Sequence, residues 1–349
     1  MKIIKQNAQL LDTNNMTPYQ VIERVGRTCY KSENNITEDS AAGFVSRLYR
    51  DGHHAMLEFG WVYVKIEPGI DDGIEEAQEL ERIWSMVAHC ATQYIHLGLG
   101  HITGSLRAFH DWFHEIIDAY YDSAQSEACV PPEFISLMQM FVDEYPEIFG
   151  TLGQRINGNR TFLEDLPEKS PFKFVTRTEF IKGTEWNYVM HPFDITNMLP
   201  HIILFTTDRG VTHELCRHRP CSFAMESTRY CNYGKDKFGG ELTVIEPCFA
   251  NVGDIGSIRA RNLIWELGME ESERNYLRLL QFGATPEQAR DALPHAVKAD
   301  LWMCATEDEW QHILDLRYHE KTGKAHPKMK ALMEIAYPQL YKASEGRIR

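Results

Sequence analysis

Apolar and polar positions follow two spacings along this chain. Apolar residues at helical spacing predict helices at 17–31 and 39–51, and each segment begins with a Thr or Asp that can cap the helix N-terminus. The same spacing predicts helices at 75–97, 106–121, 133–145, 211–217, 257–281, 286–292, 294–315 and 327–341. Alternating residues that favour β-structure predict strands at 61–66, 201–206 and 242–246. Gly, Asn and Pro across 150–171 predict a loop.

Few predicted strands among many helices indicate an α+β fold, with one central mixed or antiparallel sheet covered by helices. One internal similarity stands out within this pattern. Residues 102–113 resemble residues 305–314, because both pass from a small polar turn into an amphipathic helix with aromatic residues. Either a duplicated element or the ordinary similarity of helix starts explains it.

Composition narrows the class of protein. The 349 residues are 43% hydrophobic and 25% charged, which is usual for a soluble globular protein of one large or two ordinary domains. No apolar run approaches the ~20 residues that span a bilayer, and the start of the chain is too polar for a signal peptide. We therefore expect a cytoplasmic protein with no membrane partner.

The net charge of −14 argues against a nucleic-acid partner, which requires a basic surface. A local group of cations on such an acidic protein instead indicates a small anionic ligand. The eight cysteines form no CxxC pair, so they predict reduced thiols rather than a zinc ribbon or a disulfide framework.

One short stretch carries most of the candidate chemistry. Arg217, His218 and Arg219 are consecutive, Ser227 follows after seven residues, and Arg229 comes next. The guanidinium fork matches phosphate and carboxylate oxygens two at a time. Such a cluster requires anionic company, which is either protein carboxylates or a phosphorylated ligand.

This spacing resembles the signature of the flavin-dependent thymidylate synthases, the ThyX family. Four further stretches resemble that family: GRTCYKS at 26–32, GHHAMLE at 52–58, RDALP at 290–294 and WQHILDLR at 310–317. Phe59 stands where the family usually has His. The resemblance implies a ThyX-like catalytic domain of residues 1–66 and 201–349. Residues 67–200 have no counterpart in compact family members, so we interpret them as a mostly helical insertion.

The resemblance implies a chemistry as well. The family methylates dUMP to dTMP with methylenetetrahydrofolate as carbon donor and NADPH as reductant, through FAD and without a Cys nucleophile. The cofactor then carries the hydride chemistry, and the protein supplies positioning and electrostatics. The family also implies a homotetramer whose active sites contain residues of more than one subunit.

Site residues follow from the same resemblance. It implies that Arg317 is catalytic and faces the uracil ring. The implied FAD contacts are Ala55, Arg217, His218, Arg219, Met225, Thr306, Glu307, Asp308 and His312. The implied contacts to dUMP are Glu214, Arg217, Met225, Glu226, Ser227, Thr228, Arg229 and Arg290. No metal is implied.

The chain also departs from the family pattern. Ala224 and Met225 replace polar residues, Thr306 replaces the usual Asn, and Asp308 replaces the usual Arg. The acid at 308 reverses the charge beside the expected flavin, although Arg107 offers a cation elsewhere. A catalytically impaired homologue that binds nucleotide or flavin is therefore an alternative. The substrate is either dUMP or a modified pyrimidine nucleotide.

A second alternative is a metal-dependent hydrolase. His110 and His114 have the i, i+4 spacing that can ligate zinc on a helix, although no Glu completes an HExxH motif.

Overall fold

The computed structural model describes residues 1–67, 73–90, 94–98, 100–122, 130–164, 166–190, 195–235, 239–249 and 254–349. Its strands are β1 (Lys2–Ile4), β2 (Asn7–Leu10), β3 (Trp61–Ile66), β4 (His96–Gly98), β5 (His101–Ser105), β6 (Phe172–Val175), β7 (Pro200–Asp208), β8 (Ser222–Met225), β9 (Thr243–Ile245) and β10 (Lys298–Thr306).

Its helices are α1 (Pro18–Cys29), α2 (Ser40–Arg50), α3 (Gly73–Cys90), α4 (Leu106–Asp122), α5 (Pro132–Glu144), α6 (Pro146–Asn157), α7 (Thr161–Glu164), α8 (Arg177–Met190), α9 (Arg209–Leu215), α10 (Ile255–Gln281), α11 (Pro286–Ala289), α12 (Glu307–Arg317) and α13 (Pro327–Ala343). None of these described helices combines the length and the apolar character that crossing a membrane requires.

The chain divides into two compact units. The first unit contains Met1–Leu11, Arg24–Asn35 and Pro200–Arg349, and the second contains Asp12–Glu23 and Ile36–Leu199. Residues 36–66 therefore belong to the same unit as 67–199. That residues 67–200 are an insertion relative to compact relatives stays a prediction.

The first unit is built on an antiparallel sheet with the order β2-β7-β10-β8. Its two central strands carry nearly continuous apolar runs, as expected where both faces are covered. Ile203, Phe205, Leu301 and Met303 pack with Trp310 of α12 in the core of this unit. Strands β1 and β9 form a separate parallel pair.

The second unit has its own antiparallel sheet, with the order β4-β5-β3-β6. Its core is rich in aromatic rings. Phe109 and Phe113 of α4 pack against Phe141 of α5 with ring centroids 4.4 and 5.2 Å apart. This unit is therefore a packed α+β body and not a loop excursion.

The predicted α+β class is confirmed, although the described strands form three sheets rather than one. The helices predicted at 17–31, 39–51, 106–121, 133–145 and 257–281 are present, as are the strands predicted at 61–66, 201–206 and 242–246. In these segments other than 257–281 the apolar spacing agrees with the face that the protein buries. Helix α10 buries Tyr276 but leaves Ile264 and Leu267 exposed.

Three predictions were wrong in part. Residues 294–315 form β10 followed by α12 rather than one helix, because an apolar run such as 301–305 suits a buried strand as well as a helix. The helix predicted at 75–97 ends at residue 90, and β4 follows. Most of the loop predicted at 150–171 is helix, because Ile148, Phe149, Leu152 and Ile156 bury one face of α6 despite its glycines.

Candidate active site

Two helix ends meet beside Arg317, the last residue of α12. The Arg317 Nε donates to Nε2 of His218 over 3.4 Å, and its Nη1 lies 3.6 Å from Oε2 of Glu214 on α9. The His218 Nδ1 lies 2.9 Å from the carbonyl oxygen of Leu215 and donates to it, which assigns the proton to Nδ1. Arg317 is thus held from two sides, with about a quarter of its side chain exposed.

The surroundings of His218 favour its neutral imidazole. Burial lowers the pKa of His218, and the nearby Arg317 and His312 lower it further against the opposing effect of Leu215 and Glu214. A neutral ring can accept a hydrogen bond from Arg317 at Nε2, whereas a protonated ring would repel that guanidinium. His218 is therefore suited to orienting Arg317.

A cavity of about 210 Å³ opens within the first unit. It is lined by Arg209, His213, Thr228, Arg290, Asp291, Leu293, Pro294 and His295. The lining comes from chain segments that the sheet brings together. Arg209 begins α9 directly after β7, and its backbone nitrogen donates to the carbonyl oxygens of His295 and Val297, at 3.0 and 3.2 Å.

Cations dominate the polar lining of this cavity. The Arg209 Nη1 is buried with no hydrogen-bond partner among the described residues. Neither Arg209 nor Arg290 pairs with a carboxylate in the described part of the chain, and Asp291 is the acid in the lining. A buried guanidinium nitrogen without a partner is costly, so the cavity suits an anionic ligand. The imidazoles of His213 and His295 meet edge to face at 5.8 Å.

The three consecutive cations of the signature do not behave alike. His218 is buried, whereas the Arg217 and Arg219 side chains are exposed and form no ion pair with any described residue. Two such guanidinium groups fit an anionic cofactor or substrate, because the protein does not already neutralise them.

Part of the chain matches a known family model. Residues 192–343 match the family model Thy1, described as thymidylate synthase complementing protein. This segment of the chain is therefore similar to that family. The matched region covers the cavity, the Arg217–His218–Arg219 cluster and Arg317.

Curated relatives agree over a shorter stretch. Flavin-dependent thymidylate synthases from Geobacter sulfurreducens, Pyrococcus abyssi and Haloarcula marismortui are 26%, 29% and 27% identical over 113, 113 and 124 residues. These stretches cover 32%, 32% and 31% of this chain and 45%, 43% and 50% of those proteins. The chain thus spans half or less of the length of the curated relatives it matches.

Among solved structures, a UMP/dUMP methylase PolB from Streptomyces cacaoi bound with 5-Br dUMP is 18% identical. The alignment covers 49% of this chain and 77% of that chain, with a TM-score of 0.37. A likeness with this TM-score carries no weight for fold or ligand.

The residues that the resemblance implies for nucleotide binding fall into two groups. Thr228 and Arg290 line the cavity, and Glu214 touches Arg317. The Ser227 Oγ accepts from the Arg229 backbone nitrogen at 3.3 Å, and the Arg229 Nε lies 2.9 Å from Oε1 of Glu287. That ion pair is about half exposed, so it is weak enough for a ligand to displace.

Glu226 lies apart from these contacts. It is 2% exposed, accepts from Tyr233 Oη at 3.1 Å, and pairs with Lys298 at 2.7 Å and Lys31 at 3.3 Å. The carboxylate is therefore occupied by the fold in this structure. Met225 ends β8 opposite Leu301 and is half-buried.

The residues that the resemblance implies for flavin binding have different surroundings in the structure. Glu307 is 1% exposed and bonded to His201 at 2.9 Å and to Arg347 at 2.7 and 3.0 Å, so its carboxylate is turned to the protein. The Thr306 hydroxyl donates to the Asp308 carboxylate. His312 is exposed on α12. Ala55 is exposed and lies in the second unit.

Arg209, His213 and His295 are the cavity residues that sequence reasoning missed. Arg209 stands eight residues before the signature, and neither histidine lies in a motif. The one available signal is that Arg209 and His213 share the helix that carries Glu214. Their convergence with Arg290 depends on the pairing of β7 with β10.

The metal-dependent alternative concerns the second unit. The ring centroids of His110 and His114 lie 4.4 Å apart with the rings tilted. The His110 Nε2 lies 3.0 Å from Tyr49 Oη, however, and the Arg155 Nη1 lies 3.4 Å from His114 Nδ1. The described residues contain no group of three or more His, Cys, Asp or Glu side chains arranged to hold a metal ion. The structure therefore gives this alternative no support.

Proposed function

We propose that this chain is a flavin-dependent thymidylate synthase, which methylates dUMP to dTMP with methylenetetrahydrofolate and NADPH. The observation that carries the proposal is the cavity in which Arg209, Arg290 and Thr228 meet without neutralising carboxylates on the two guanidinium groups. The phosphate of dUMP supplies the missing negative charge. Arg229 joins it by exchanging its surface partner Glu287 for that phosphate.

Arg317 acts on the uracil ring in this proposal. Methylation at C5 requires extra electron density in the ring, and a fixed cation beside N3 and O2 stabilises that density as it develops. The contacts to His218 and Glu214 hold the guanidinium before the substrate arrives, so little reorganisation is required during the reaction. His218 acts through Arg317 and is a positioning residue.

FAD, once reduced by NADPH, supplies the hydride when it is bound. The exposed guanidinium groups of Arg217 and Arg219 fit its phosphates, because no described carboxylate neutralises them. The acid at 308 opposes that fit, so we expect weaker retention of FAD than a cation there would give. Glu307 contributes to the fold, through Arg347 and His201, rather than to the flavin.

A thiol nucleophile has no role in this proposal, and the thiols beside the signature agree with that. Burial raises the pKa of Cys221, and Glu309 raises it further, which disfavours the thiolate. Cys231 is 1% exposed. We further propose that the enzyme is cytoplasmic, acts on small molecules alone and assembles as a homotetramer.

The test uses the full chain, FAD, NADPH, methylenetetrahydrofolate and dUMP. The expected result is a yellow protein with flavin absorbance bands and formation of dTMP that requires all four compounds. Binding of dUMP and flavin without any turnover would instead identify the impaired homologue. Absence of flavin binding together with absence of dUMP binding would contradict the proposal altogether.

A further inference from the structure

We infer that the two units are two copies of one strand-and-helix module that have exchanged their edge strands, and that one copy alone carries the anion site. The first copy contains β2, α1, β3, β4, β5 and α4. The second contains β6, α8, β7, β8, β10 and α12. These shared elements follow one order in both copies, which is edge strand, helix, strand, strand, strand, helix. Helices α2 and α3 lie between them in the first copy, and α9, β9, α10 and α11 lie between them in the second.

The two four-stranded sheets have the same order. One is β2-β7-β10-β8 and the other is β6-β3-β5-β4, and every pair in both is antiparallel. In each sheet one of the two edge strands, β2 or β6, comes from the opposite copy. Strand β2 precedes β3 in the chain but pairs with β7, and β6 precedes β7 but pairs with β3.

The register of the central strands is the same in both sheets. The first residue of β7, Pro200, faces Thr306, the last residue of β10, and α12 begins at the next residue. The first residue of β3, Trp61, faces Ser105, the last residue of β5, and α4 begins at the next residue. Two unrelated units have no reason to share this junction.

The exchanged strands β2 and β6 also pair with β7 and β3 in matching register. The fifth residue of β7, Leu204, faces Gln9, and the fifth residue of β3, Lys65, faces Lys173. Gln9 and Lys173 are both exposed, and the residues before them, Ala8 and Phe172, are both buried. Corresponding residues of β2 and β6 therefore agree both in their burial and in their pairing partners.

The helices that follow the central strands agree in their buried face. In α12 the buried residues are Glu307, Trp310, Ile313 and Leu314, at positions 1, 4, 7 and 8. In α4 these positions hold Leu106, Phe109, Trp112 and Phe113, and all four are buried. The similarity between 102–113 and 305–314 in the sequence therefore reflects duplication.

The copies differ where the anion site lies. Residues 226–297, which include Ser227, Thr228, Arg229 and Arg290, connect β8 to β10, whereas residues 99–100 connect β4 to β5. Arg217–Arg219 lies three to five residues before β8, and the same distance before β4 the sequence is ATQ. The position of Arg317 on α12 corresponds to Ile116 on α4. The first copy has therefore lost the cationic machinery, and the chain binds one nucleotide for two modules.

The strand exchange is tested in the full chain with paired cysteines and a short bifunctional thiol reagent, with cross-links mapped by peptide mass spectrometry. We expect cross-links within one chain in Q9C/L204C and in K65C/K173C. The matched controls are Q9C/K65C and K173C/L204C, which are the pairs that unexchanged copies would bring together. Cross-linking of the control pairs in place of the first two would overturn the exchange.

The loss of one site is tested by titrating the full chain with dUMP in a calorimeter, and this arm rests on the proposed function. We expect one dUMP per chain, and R290Q should remove that single binding event. Two equivalents per chain, or one equivalent that persists in R290Q, would overturn the assignment. No binding at all would contradict the proposed function, while the cross-links would still decide the strand exchange.

Discussion

The Nε of Arg317 lies 3.4 Å from Nε2 of His218, and this contact joins two helices that each follow a central strand of one sheet. Arg317 ends α12, which begins where β10 ends, and His218 lies three residues beyond α9, which begins where β7 ends. Because β7 and β10 pair along their whole length, the sheet fixes the separation of the two helices. The position of the candidate catalytic cation is thus set by the core.

Arg317→Ala should abolish most turnover while flavin stays bound. Loss of one preorganised charge donor typically lowers the rate by ~10²–10³, or about 3–4 kcal/mol. Arg317→Lys should recover only part of this, because an ammonium group cannot reproduce the guanidinium fork. Single-turnover formation of dTMP measures the rate, and the flavin absorbance measures retention of the cofactor.

Cys221→Ala and Cys231→Ala are the matched controls for that experiment. Both side chains lie in the signature region but attack nothing in the proposed mechanism, so both variants should keep most activity. If either cysteine variant were inactive while Arg317→Ala turned over normally, the chain would use a thiol nucleophile, and the proposed mechanism would be wrong.

Arg209→Gln should weaken the binding of dUMP without destabilising the fold. A hydrogen bond to a charged group is worth about 1.5–3 kcal/mol, so we expect the KM for dUMP to rise by roughly 10- to 100-fold. Because the Arg209 Nη1 has no partner among the described residues, its removal breaks no side-chain contact of that atom. Urea unfolding should therefore show no loss of stability.

Arg259→Gln is the control for Arg209→Gln. Arg259 is exposed on α10 and does not line the cavity, so the variant changes the net charge by the same amount. Its KM for dUMP should stay unchanged, and inorganic phosphate should compete with dUMP equally well in Arg259→Gln and in the parent. An equal rise of KM in both variants would point to the overall charge rather than to the cavity.

Much of the fold could be predicted because local spacing and burial agree. In α2 the buried residues Ala41, Phe44, Val45 and Leu48 follow the helical period that the sequence shows. Strand β10 could not be predicted, because its run of buried residues has no alternation, and only its pairing with β7 and β8 distinguishes it from a helix. Tertiary pairing decides such a segment.

The candidate site could be predicted only where a motif names the residue. The stretches RDALP and WQHILDLR pointed to Arg290 and Arg317, and the structure places them in the cavity and beside Glu214 respectively. Glu226 and Glu307 belong to equally good motif positions, yet each carboxylate is buried against cations of the fold. Sequence spacing identifies the position of a residue but not the face to which its side chain turns.

As the pH falls, the free energy of unfolding should decrease less in Asp300→Asn than in the parent. Burial opposes ionisation of Asp300, but Lys298 and Lys31 outweigh it and lower its pKa from 3.8 to about 2. The unfolded chain then binds the proton first, so the stabilisation is complete above pH 3.8 and is lost as the pH falls towards 2. Each pKa unit is worth about 1.4 kcal/mol, so the effect is on the order of 2 kcal/mol.

Urea unfolding at pH 5 and at pH 3 measures that difference. The parent should lose more stability between the two values than Asp300→Asn does. Glu270→Gln, an exposed change on α10, should behave like the parent. An identical acid dependence in Asp300→Asn and the parent would show that the lysines do not hold this carboxylate in solution.

Arg347→Met should destabilise the first unit more than the double variant Glu307→Gln/Arg347→Met. Burial opposes ionisation of Glu307, but hydrogen bonds from His201 and Arg347 keep its pKa below the ordinary value. Removing Arg347 leaves a buried carboxylate with His201 alone, and breaking a buried pair from one side typically costs about 3–5 kcal/mol. The amide of Gln carries no charge, so the second substitution should recover part of that loss. A urea double-mutant cycle measures the coupling, and simple additivity of the two substitutions would show that the pair does not interact.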